Sequence, residues 1–189
     1  MGFLDVVLGR KRLKDAAREQ LFAISTAQVT LAIEHGLKPA GKAAVVFKPL
    51  SAGEFVRAEN ELQELLDVVA QSTGARLKRS TDTYGYEWLV FEDPDFEDLV
   101  NAVHAVGEEL QSRGFGPQLL AAMFRFDGQE HPVYWIYGYK RGAFWPFVPT
   151  GKDQERDNPE ELELKAKLEK ELPIEQDISR WFGMFGAPL

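Results

Sequence analysis

Apolar residues near the start of the chain change from a helical period to a strand-like one. A moderately helical stretch precedes the segments QVTLAIEHG (28–36) and GKAAVVFKP (41–49), which flank the turn signal KPAG. Aliphatic side chains occupy every second position from Val29 to Ile33, and this alternation favours a β-hairpin. A short helix capped by Ser25 is the alternative that the pattern leaves open.

Two later segments carry a clear helical period. Ser51 and Glu54 form a capping box, and Gly74 supplies a stop for the first of these helices. Its apolar positions are Phe55, Ala58, Leu62, Leu65, Leu66 and Val69. The second helix is predicted to begin at Asp93 as N-cap and to end at Gly114 or Gly116. Its apolar face comprises Phe96, Leu99, Val100, Val103, Val106 and Leu110.

The remaining apolar runs predict a sheet. ARLKRSTD and YGYEWLVFED indicate a second hairpin, and LLAAMFRF, PVYWIYGY and AFWPFVP indicate a three-stranded meander. The strand ends VVFKP and LVFEDP each lead into an amphipathic helix, which suggests a pseudo-repeat of two hairpin-helix units. We therefore predict an α+β fold, a largely antiparallel sheet with helices packed on one face in a two-layer sandwich.

Three regions follow from these patterns. Residues 1–14 are a basic amphipathic segment, and residues 15–150 are the α+β domain. Residues 151–189 comprise a polar linker, a last helix and an aromatic tail that packs on the domain. That helix is predicted to open at Asn158 with Pro159 in its first turn, and Pro173 stops it. Its apolar stripe is Leu164, Leu168 and Leu172.

Composition narrows the class of protein. The 189 residues are 44% hydrophobic and 28% charged, an ordinary balance for a globular protein. A net charge of −8 argues against a nucleic-acid binder. The absence of cysteine excludes disulfides and thiolate zinc sites. No apolar run approaches the roughly 20 residues that cross a bilayer, and the order of apolar and basic residues at the start is not that of a signal peptide. We expect a cytoplasmic protein, peripheral at the inner face of the membrane if its N-terminus binds lipid.

Candidate chemistry is sparse. The only histidines, His35, His104 and His131, have no second histidine at metal-ligand spacing, and no nucleophile motif is present. The DPDFED segment matches a calcium-binding loop at the first three ligand positions of that loop. Its glycine position holds Asp98, however, and its final glutamate position holds His104. An acidic helix start explains these residues. We expect no metal, no cofactor and no catalytic residue, and an enzyme is the weaker hypothesis.

The N-terminal segment is rich in cations, although the net charge of the chain is negative. An apolar helical face precedes a cluster of cations, and together they comprise Phe3, Leu4, Val7, Leu8, Arg10, Lys11, Arg12 and Lys14. This pattern is typical of a short interfacial helix that contacts anionic lipid or an acidic partner. Docking of the apolar residues onto the protein's own core and disorder are the alternatives.

The last third of the chain concentrates aromatic rings. The tail carries Trp181, Phe182, Met184 and Phe185 among glycines, and we expect it to fold back over the sheet rather than form an interface. In YGYKRGAFWPFVP (137–149) the rings are expected mainly in the core, with Pro146 on an edge strand. Lys140, Arg141 and Gly142 suit a three-residue hairpin loop whose glycine is left-handed, and the two cations are free to contact a partner.

Motif segments along most of the chain resemble one family. They are MGFLDVVLGR, YGYEWLV, GFGPQLL, YKRGAFWPFVP and RDNPEELE followed by LPIEQDISRWFGMFGAPL. Together they are similar to the PspA-associated protein family, PspAB, whose expected tail, closer to WFPLWGAP, differs mildly from the one here. The residues within these segments include Lys140, Arg141, Gly142, Pro146, Arg156, Asp157, Arg180 and Trp181.

The resemblance implies a function rather than a reaction. It implies association with phage shock protein A (PspA), the coiled-coil protein that coats stressed membranes, and genomic linkage to an HtpX-type membrane protease. We therefore expect a non-enzymatic adaptor of the envelope-stress response, whose partner-binding residues are Lys140, Arg141, Arg180 and Trp181. A cryptic enzyme or small-ligand binder, with a site assembled by folding, is the alternative.

Overall fold

The computed structural model describes residues 20–48, Glu64 and residues 76–189. In chain order, its elements are α1 (20–35), β1 (Lys38–Phe47), β2 (Arg76–Thr81), β3 (Glu87–Glu92), α2 (Phe96–Ser112), β4 (Leu119–Asp127), β5 (Pro132–Gly138), β6 (Ala143–Phe147), α3 (Asn158–Leu168) and a 3-10 turn (Ile178–Arg180). The predicted helix that begins at Ser51 lies outside the described residues, except that Glu64 is helical and exposed.

The six strands form one antiparallel sheet in the order β2-β3-β1-β4-β5-β6. Because β3 and β4 both run antiparallel to β1, they are parallel to each other, and α2 connects them across β1. This unit is a split βαβ arrangement. The predicted second hairpin (β2–β3) and the meander (β4–β5–β6) are confirmed, as is the α+β class.

Helices cover the face of the sheet that we call the inner face. The Phe96 ring of α2 lies 5.8 Å from the ring of Phe124 and 5.3 Å from that of Phe126, both on β4. α1 packs beside α2 through Phe22, whose ring lies 4.7 Å from His104. α3 contacts β6. All six predicted apolar positions of α2 are buried, as its period requires.

The opposite, outer face carries the C-terminal tail. Trp145 and Phe147 of β6 point to this face and meet tail rings, since Phe182 lies 6.5 Å from Trp145 and Phe185 lies 5.0 Å from Phe147. The tail therefore lies back over the sheet, on β5 and β6, where its rings cover apolar side chains.

The predicted first hairpin is wrong, because its first strand is the end of α1. Residues Leu21, Ile24, Ala27 and Leu31 are buried at helical spacing. Of the alternating residues that favoured a strand, Val29 and Ile33 are on the exposed side of the helix, 54% and 78% accessible, whereas Leu31 is buried. Three alternating aliphatic residues are too few to distinguish the period of 2 residues of a strand from the period of 3.6 residues of a helix. The described first unit is thus helix and strand, so the pseudo-repeat of two hairpin-helix units does not hold there.

The N-cap of α2 differs from the predicted one, whereas α3 begins at Asn158 as predicted. Asp95, rather than Asp93, is the N-cap of α2, because its carboxylate accepts the amides of Glu97 and Asp98. Asp157 likewise caps α3 by accepting the Glu160 amide. In the segment before α2, Asp93 and Asp95 could each cap the helix, and the backbone geometry places Asp95 at the N-cap position. The predicted stop at Gly114 is confirmed by its left-handed φ of 91°.

Candidate partner-binding groove

A large groove lies over the outer face, between the tail and the β2–β3 turn. Its volume is about 1100 Å³. The floor includes Val46, Ala121 and Gly138, which are neighbours across strands β1, β4 and β5. Trp88 pairs with Val46 on one side, and the Trp145 ring lies over Gly138 on the other. These residues form the base and flanks of a trough and are all buried, with Val46 2% and Ala121 1% accessible, so the accessible surface of the groove is at its rim.

Exposed aromatic rings stand at the rim of the groove. Tyr84 is 69% accessible and Phe182 is 64% accessible, and Tyr86 lies beside Tyr84. Large exposed rings at one site are uncommon on a soluble surface, since they leave apolar area in water. Rings of this kind are enriched in protein interfaces, where they bury much area for little loss of rotamer freedom.

The groove is lined with cations in a chain whose net charge is negative. Among the described lining residues these are Lys48, Lys140, Arg141 and Arg180. Arg141 donates to the Glu175 carboxylate at 2.7 Å, and Arg180 lies 2.8 Å from Asp177. Within the described residues no ion pair involves Lys48 or Lys140. The described part of the chain therefore leaves two ammonium groups of the rim without a carboxylate partner.

The one carboxylate of the described lining, Asp82, is already engaged. One of its oxygens accepts the amides of Tyr84 and Tyr86, each at 2.9 Å. The other accepts the Trp88 indole N–H at 3.0 Å. These bonds shape the β2–β3 turn and fix the Trp88 ring, so Asp82 acts as a turn former rather than as a reactive acid.

The β5–β6 hairpin separates buried rings from an exposed tip. Tyr137, Phe144, Trp145 and Phe147 are all buried, so the prediction that the rings are mainly core is confirmed. Gly142 has the predicted left-handed φ, 65°. The loop is four residues long rather than three, because the strands close at Gly138, whose carbonyl accepts the amides of both Arg141 and Gly142.

The predicted partner-binding residues fall into two groups. Lys140, Arg141 and Arg180 are exposed and line the same groove, so the fold brings together cations that are 40 positions apart in the chain. Trp181 is only 6% accessible, and its indole N–H donates to the Glu175 carbonyl at 2.9 Å. Its ring anchors the tail, and its neighbour Phe182 presents the exposed ring.

A buried ion pair ties the tail to the sheet and to α3. Glu161 is 2% accessible and accepts two bonds from Arg156, at 2.8 and 2.9 Å, and one from the Val148 amide. Arg156 also donates to the carbonyls of Trp181 at 2.9 Å and Pro146 at 3.4 Å. Burial raises the pKa of Glu161, although the Arg156 guanidinium opposes that rise.

Two further contacts complete the attachment of the tail. The Trp145 indole N–H donates to the Phe182 carbonyl at 3.0 Å, and Arg125 donates to the Leu189 carbonyl at 3.0 Å. At Gly183 an added Cβ would lie 2.6 Å from the Phe185 ring and 3.1 Å from the Phe147 ring. The tail thus approaches the sheet more closely than a side chain at this position would permit.

Residues 173–175 form a short parallel bridge with the free edge of β6, the edge that does not face β5. Phe144 donates to the Pro173 carbonyl at 2.8 Å, and its own carbonyl accepts the Glu175 amide at 2.9 Å. The backbone of Pro146 is the next to face this free edge, and proline has no amide proton that could be left unpaired there. The prediction that Pro146 lies on an edge strand is confirmed.

Two phenols have raised pKa values: Tyr137 lies in the core, and Tyr139, which is partly buried, also lines the groove. Burial raises the pKa of Tyr137 to about 12 and raises that of Tyr139 further. The Tyr139 hydroxyl packs against Gly107 of α2, where an added Cβ would be 2.7 Å away. In the described ranges no three histidine, aspartate or glutamate side chains converge in a way that could hold a metal ion.

Sequence reasoning missed the groove and the buried ion pair. The groove is built from single small residues on three strands, and no local pattern in the sequence marks them. Glu161 resembled one more acidic residue in a helix start, and Arg156 resembled a solvated residue in a polar linker. Their five-residue separation in a segment that turns into a helix was the one available signal.

The predicted lipid-binding or partner-binding residues at the N-terminus lie outside the described residues. They are Phe3, Leu4, Val7, Leu8, Arg10, Lys11 and Arg12. Among the helices of the described part, none has the length and apolar character needed to cross a bilayer.

The comparison with protein families covers the whole chain. Residues 1–189 match the family described as PspAB, PspA associated protein B. No curated protein and no solved structure matches the chain. The full-length match agrees with the motif segments that run from the first residues to the aromatic tail. This chain is therefore a member of the PspA-associated protein B family.

Proposed function

We propose that the protein is a non-enzymatic accessory protein of the membrane-stress response. It acts through protein contact near the membrane, and its partner is a PspA-like coat protein. The family description supplies the association with PspA. The observation that carries the mode of action is the groove, where exposed rings share one surface with ammonium groups that make no ion pair among the described residues.

The chemistry of the groove supports contact rather than catalysis. Its described lining contains one carboxylate, Asp82, whose oxygens accept three hydrogen bonds from its own turn and from Trp88. General acid–base catalysis needs a titratable group within reach of a substrate, with a pKa tuned to that role. Tyr139 also lines the groove, but burial raises its pKa and its hydroxyl packs against Gly107 of α2. The exposed rings and cations are better suited to hold a partner than to transform one.

The contact on this surface includes Lys140, Arg141 and Arg180. Lys140 projects from the hairpin tip, where a change of side chain has little effect on the fold. Arg141 and Arg180 already pair with carboxylates, yet both remain partly exposed, with 37% and 49% of their side-chain area accessible. Planar guanidinium groups bind carboxylates in a fixed geometry, so these residues suit an acidic partner.

The test is direct binding between the purified full chain and purified PspA. We expect capture by the wild-type chain and at least tenfold weaker binding by the double variant Lys140→Ser/Arg141→Ser. The variant Lys152→Ser/Lys170→Ser, which removes two exposed cations outside the groove lining, is the matched control and should bind normally. Failure of the wild-type chain to bind PspA contradicts the proposed function, and unchanged binding by the first variant removes the tip from the contact.

An HtpX-type membrane protease is the alternative partner within the same function. The same experiment, repeated with the protease in detergent, separates the two. Binding to the protease alone, with the same loss in Lys140→Ser/Arg141→Ser, would assign the contact to the protease rather than to PspA.

The groove also favours one other function, binding of a small molecule. Its volume of about 1100 Å³ is slightly above the range of about 300–1,000 Å³ that is typical of ligand sites. A thermal shift produced by a defined metabolite, lost on Ala121→Phe but kept in Lys140→Ser/Arg141→Ser, would favour this alternative over protein contact.

The N-terminal segment supplies the membrane proximity in this proposal. Its apolar face is small, so attachment to lipid is weak and depends on the attraction of its cations for anionic headgroups. The full chain should cosediment with anionic vesicles, and salt should weaken this because it screens exposed charge. A chain without residues 1–14 should remain in the supernatant, and equal sedimentation of both chains would contradict the lipid role.

A further inference from the structure

We infer that the free edge of β2 binds an extended, acidic segment of a partner protein, which adds to the sheet as a further strand. This inference goes beyond the proposed function, because none of the residues of β2 lines the groove. Three features of the described residues carry it: an open row of backbone groups, the exposure of the strand and its positive charge.

The two edges of the sheet differ in how they end. β2 and β6 are its outermost strands. At β6, residues 173–175 form a bridge with the free edge, and Pro146 has no amide proton there. Within the described ranges (20–48, Glu64 and 76–189), no strand or bridge lies on the outer side of β2. Strand addition by a partner requires an edge of this kind.

The register shows which backbone groups face that edge. The Asp82 amide donates to the Tyr86 carbonyl at 3.0 Å, so this pair is hydrogen-bonded across the β2–β3 hairpin. Bonded pairs alternate along an antiparallel ladder, so Lys78 also bonds to β3, whereas Leu77 and Thr81 face away from it. No hydrogen bond among the described residues reaches the backbone of Leu77 or Thr81.

The other side of β3 gives the same assignment. The Asp93 amide donates to the Gly41 carbonyl at 3.1 Å, so the residues of β3 that alternate with Asp93 bond to β1. Val90 belongs to the other set, which bonds to β2, and its register partner is Lys78. Both sides of β3 therefore agree on which residues of β2 face the open edge.

The edge strand is accessible. Arg76, Lys78 and Thr81 are exposed, and Tyr84 in the adjoining turn is 69% accessible. Leu77 packs its side chain against the core and so fixes the strand to the sheet. The strand thus combines a fixed position with a solvent-facing side, as a template for a further strand requires.

The edge carries positive charge that the described residues do not neutralise. Neither Arg76 nor Lys78 forms an ion pair within the described part of the chain. The two nearby carboxylates of β3 are engaged elsewhere, since Glu87 accepts a bond from Arg79 at 2.8 Å and Glu92 lies 3.8 Å from a lysine of β1. Charge complementarity therefore favours an acidic strand at this edge.

The same charge disfavours a second copy of this chain. Cations on an edge strand are a common means by which proteins prevent edge-to-edge pairing of identical chains. A copy paired through the same edge would bring Arg76, Lys78 and Arg79 toward the same three cations, and like charges oppose this approach. An acidic segment meets opposite charge while its backbone pairs with Leu77 and Thr81.

The test adds a synthetic peptide to the full-length protein and follows amide hydrogen exchange by NMR. The peptide has about eight residues, in which valine or threonine alternates with glutamate. In the free protein the amides of Leu77 and Thr81 should exchange readily, whereas that of Lys78 is protected by its bond to β3. The peptide should slow exchange at Leu77 and Thr81 by about tenfold or more and leave Lys78 unchanged. Protection of the two outward amides in the free protein, or no slowing with the peptide, would overturn the inference.

Charge reversal makes the test specific. A peptide with lysine in place of glutamate should bind about tenfold more weakly, and in Arg76→Glu/Lys78→Glu this preference should invert. Both positions are exposed, so the variant should fold normally. The control Lys152→Glu/Lys170→Glu changes net charge by the same amount at exposed positions outside β2 and should keep the original preference. Equal binding of both peptides, or inversion in the control as well, would contradict a charged strand edge.

Backbone pairing is tested separately from charge. A glutamate peptide methylated at every amide nitrogen keeps its charge but cannot donate hydrogen bonds to the edge. It should bind about tenfold more weakly than the unmethylated peptide, because main-chain bonds supply the affinity in strand addition. Equal affinity of the two peptides would show that charge alone holds them, and the inference would fail.

The location of the site is tested with the groove variant. Lys140→Ser/Arg141→Ser should bind the glutamate peptide as the wild type does. Loss of binding in this variant, with normal binding in the charge-reversed β2 variant, would move the site to the groove and overturn the inference. Exchange at Leu77 and Thr81 that slows with protein concentration, without peptide, would make a second copy the occupant and overturn it likewise. None of these measurements uses PspA, so failure of PspA to bind would contradict the proposed function alone.

Discussion

The two faces of the sheet are covered by different means. On the inner face α1 and α2 pack large apolar side chains against the strands, and rings such as Phe124 and Trp135 are fully buried. On the outer face an extended tail is attached by hydrogen bonds to its backbone, from Trp145 to the Phe182 carbonyl and from Arg156 to the Trp181 carbonyl. Strand side chains are buried on both faces, and Met123 and Ile136 of the outer face are fully buried, so the faces differ in how their covers are held in place rather than in burial.

This difference explains why the groove is on the outer face. Helices fill the space above a sheet because their side chains interdigitate with those of the strands, and no large volume remains. The tail lies over β5 and β6, and the groove lies between the tail and the β2–β3 turn. The contrast between helices that interdigitate with the strands and a tail held by hydrogen bonds can be tested by mutation, from the largest expected effect to the smallest.

The largest effect is expected in the inner core. Trp135→Ala should lower the free energy of unfolding by roughly 3–5 kcal/mol, because it removes a fully buried ring and leaves a cavity. Urea denaturation measures this difference. The exposed ring of the outer layer is the control, and Phe182→Ala should cost far less. Equal losses for the two variants would contradict the distinction between the faces.

The next effect concerns the buried ion pair that holds the tail. Arg156→Met should lower the free energy of unfolding by about 3 kcal/mol, because it leaves the Glu161 carboxylate buried without its cation. The double variant Arg156→Met/Glu161→Leu should recover much of this loss, since replacing both charges removes the unpaired one. A double variant that is less stable than the single one would show that the packing of Arg156 over Phe147, rather than the ion pair, dominates.

A smaller effect is expected where the tail approaches the sheet. Gly183→Ala should cost about 1–3 kcal/mol, because the new methyl group overlaps the rings of Phe185 and Phe147. The Trp145 indole N–H, which donates to the Phe182 carbonyl, should exchange with solvent faster as the tail lifts. Pro188→Ala, at an exposed position of the same tail, is the control and should leave this exchange unchanged.

The smallest effect is expected at the hairpin tip. Lys140→Ser and Arg141→Ser should each change stability by no more than about 0.5 kcal/mol, as is usual for exposed sites. The Arg141 guanidinium lowers the pKa of Glu175, so an NMR titration should find that pKa below its ordinary value in the wild type and higher in Arg141→Ser. An unchanged Glu175 pKa in the variant would contradict the contact.

The sign of the pH dependence follows from that lowered pKa. A carboxylate whose folded-state pKa is depressed contributes stability above its unfolded pKa and loses it as pH falls through the folded value. The contribution of the Arg141–Glu175 pair should therefore be complete at neutral pH and disappear in the acidic range below the ordinary glutamate pKa. Lys140→Ser, which leaves this pair intact, should retain the wild-type profile.

The sequence predicted those parts of the fold that local patterns encode. The six apolar positions of α2, the meander and the left-handed Gly142 follow from a long helical period, alternating strands and a turn residue. α1 was misassigned because Val29, Leu31 and Ile33 fit two periods at once. Tertiary packing decided between them by burying Leu31 and leaving Val29 in solvent.

The candidate site was predictable only in its exposed cations. Lys140 and Arg141 stand at a turn, and turn position can be read from neighbouring residues. The trough depends on which residues of β1, β4 and β5 are neighbours, and that register arises from long-range pairing that no single segment specifies. The buried state of Glu161 likewise depends on Arg156 and Val148, which the fold brings to it.

The outer edge of β6 has a consequence for self-association. Its outward amides and carbonyls are all occupied or absent: Phe144 bonds to residues 173–175, Pro146 has no N–H, and Val148 donates to Glu161 and accepts from Asp157. An open strand edge is a template on which further chains can polymerise. This chain uses its own C-terminal region as the terminator of the sheet. A protein truncated before Pro173 would lose that terminator and should form β-rich aggregates, in which the exposed edge of one copy adds to the next.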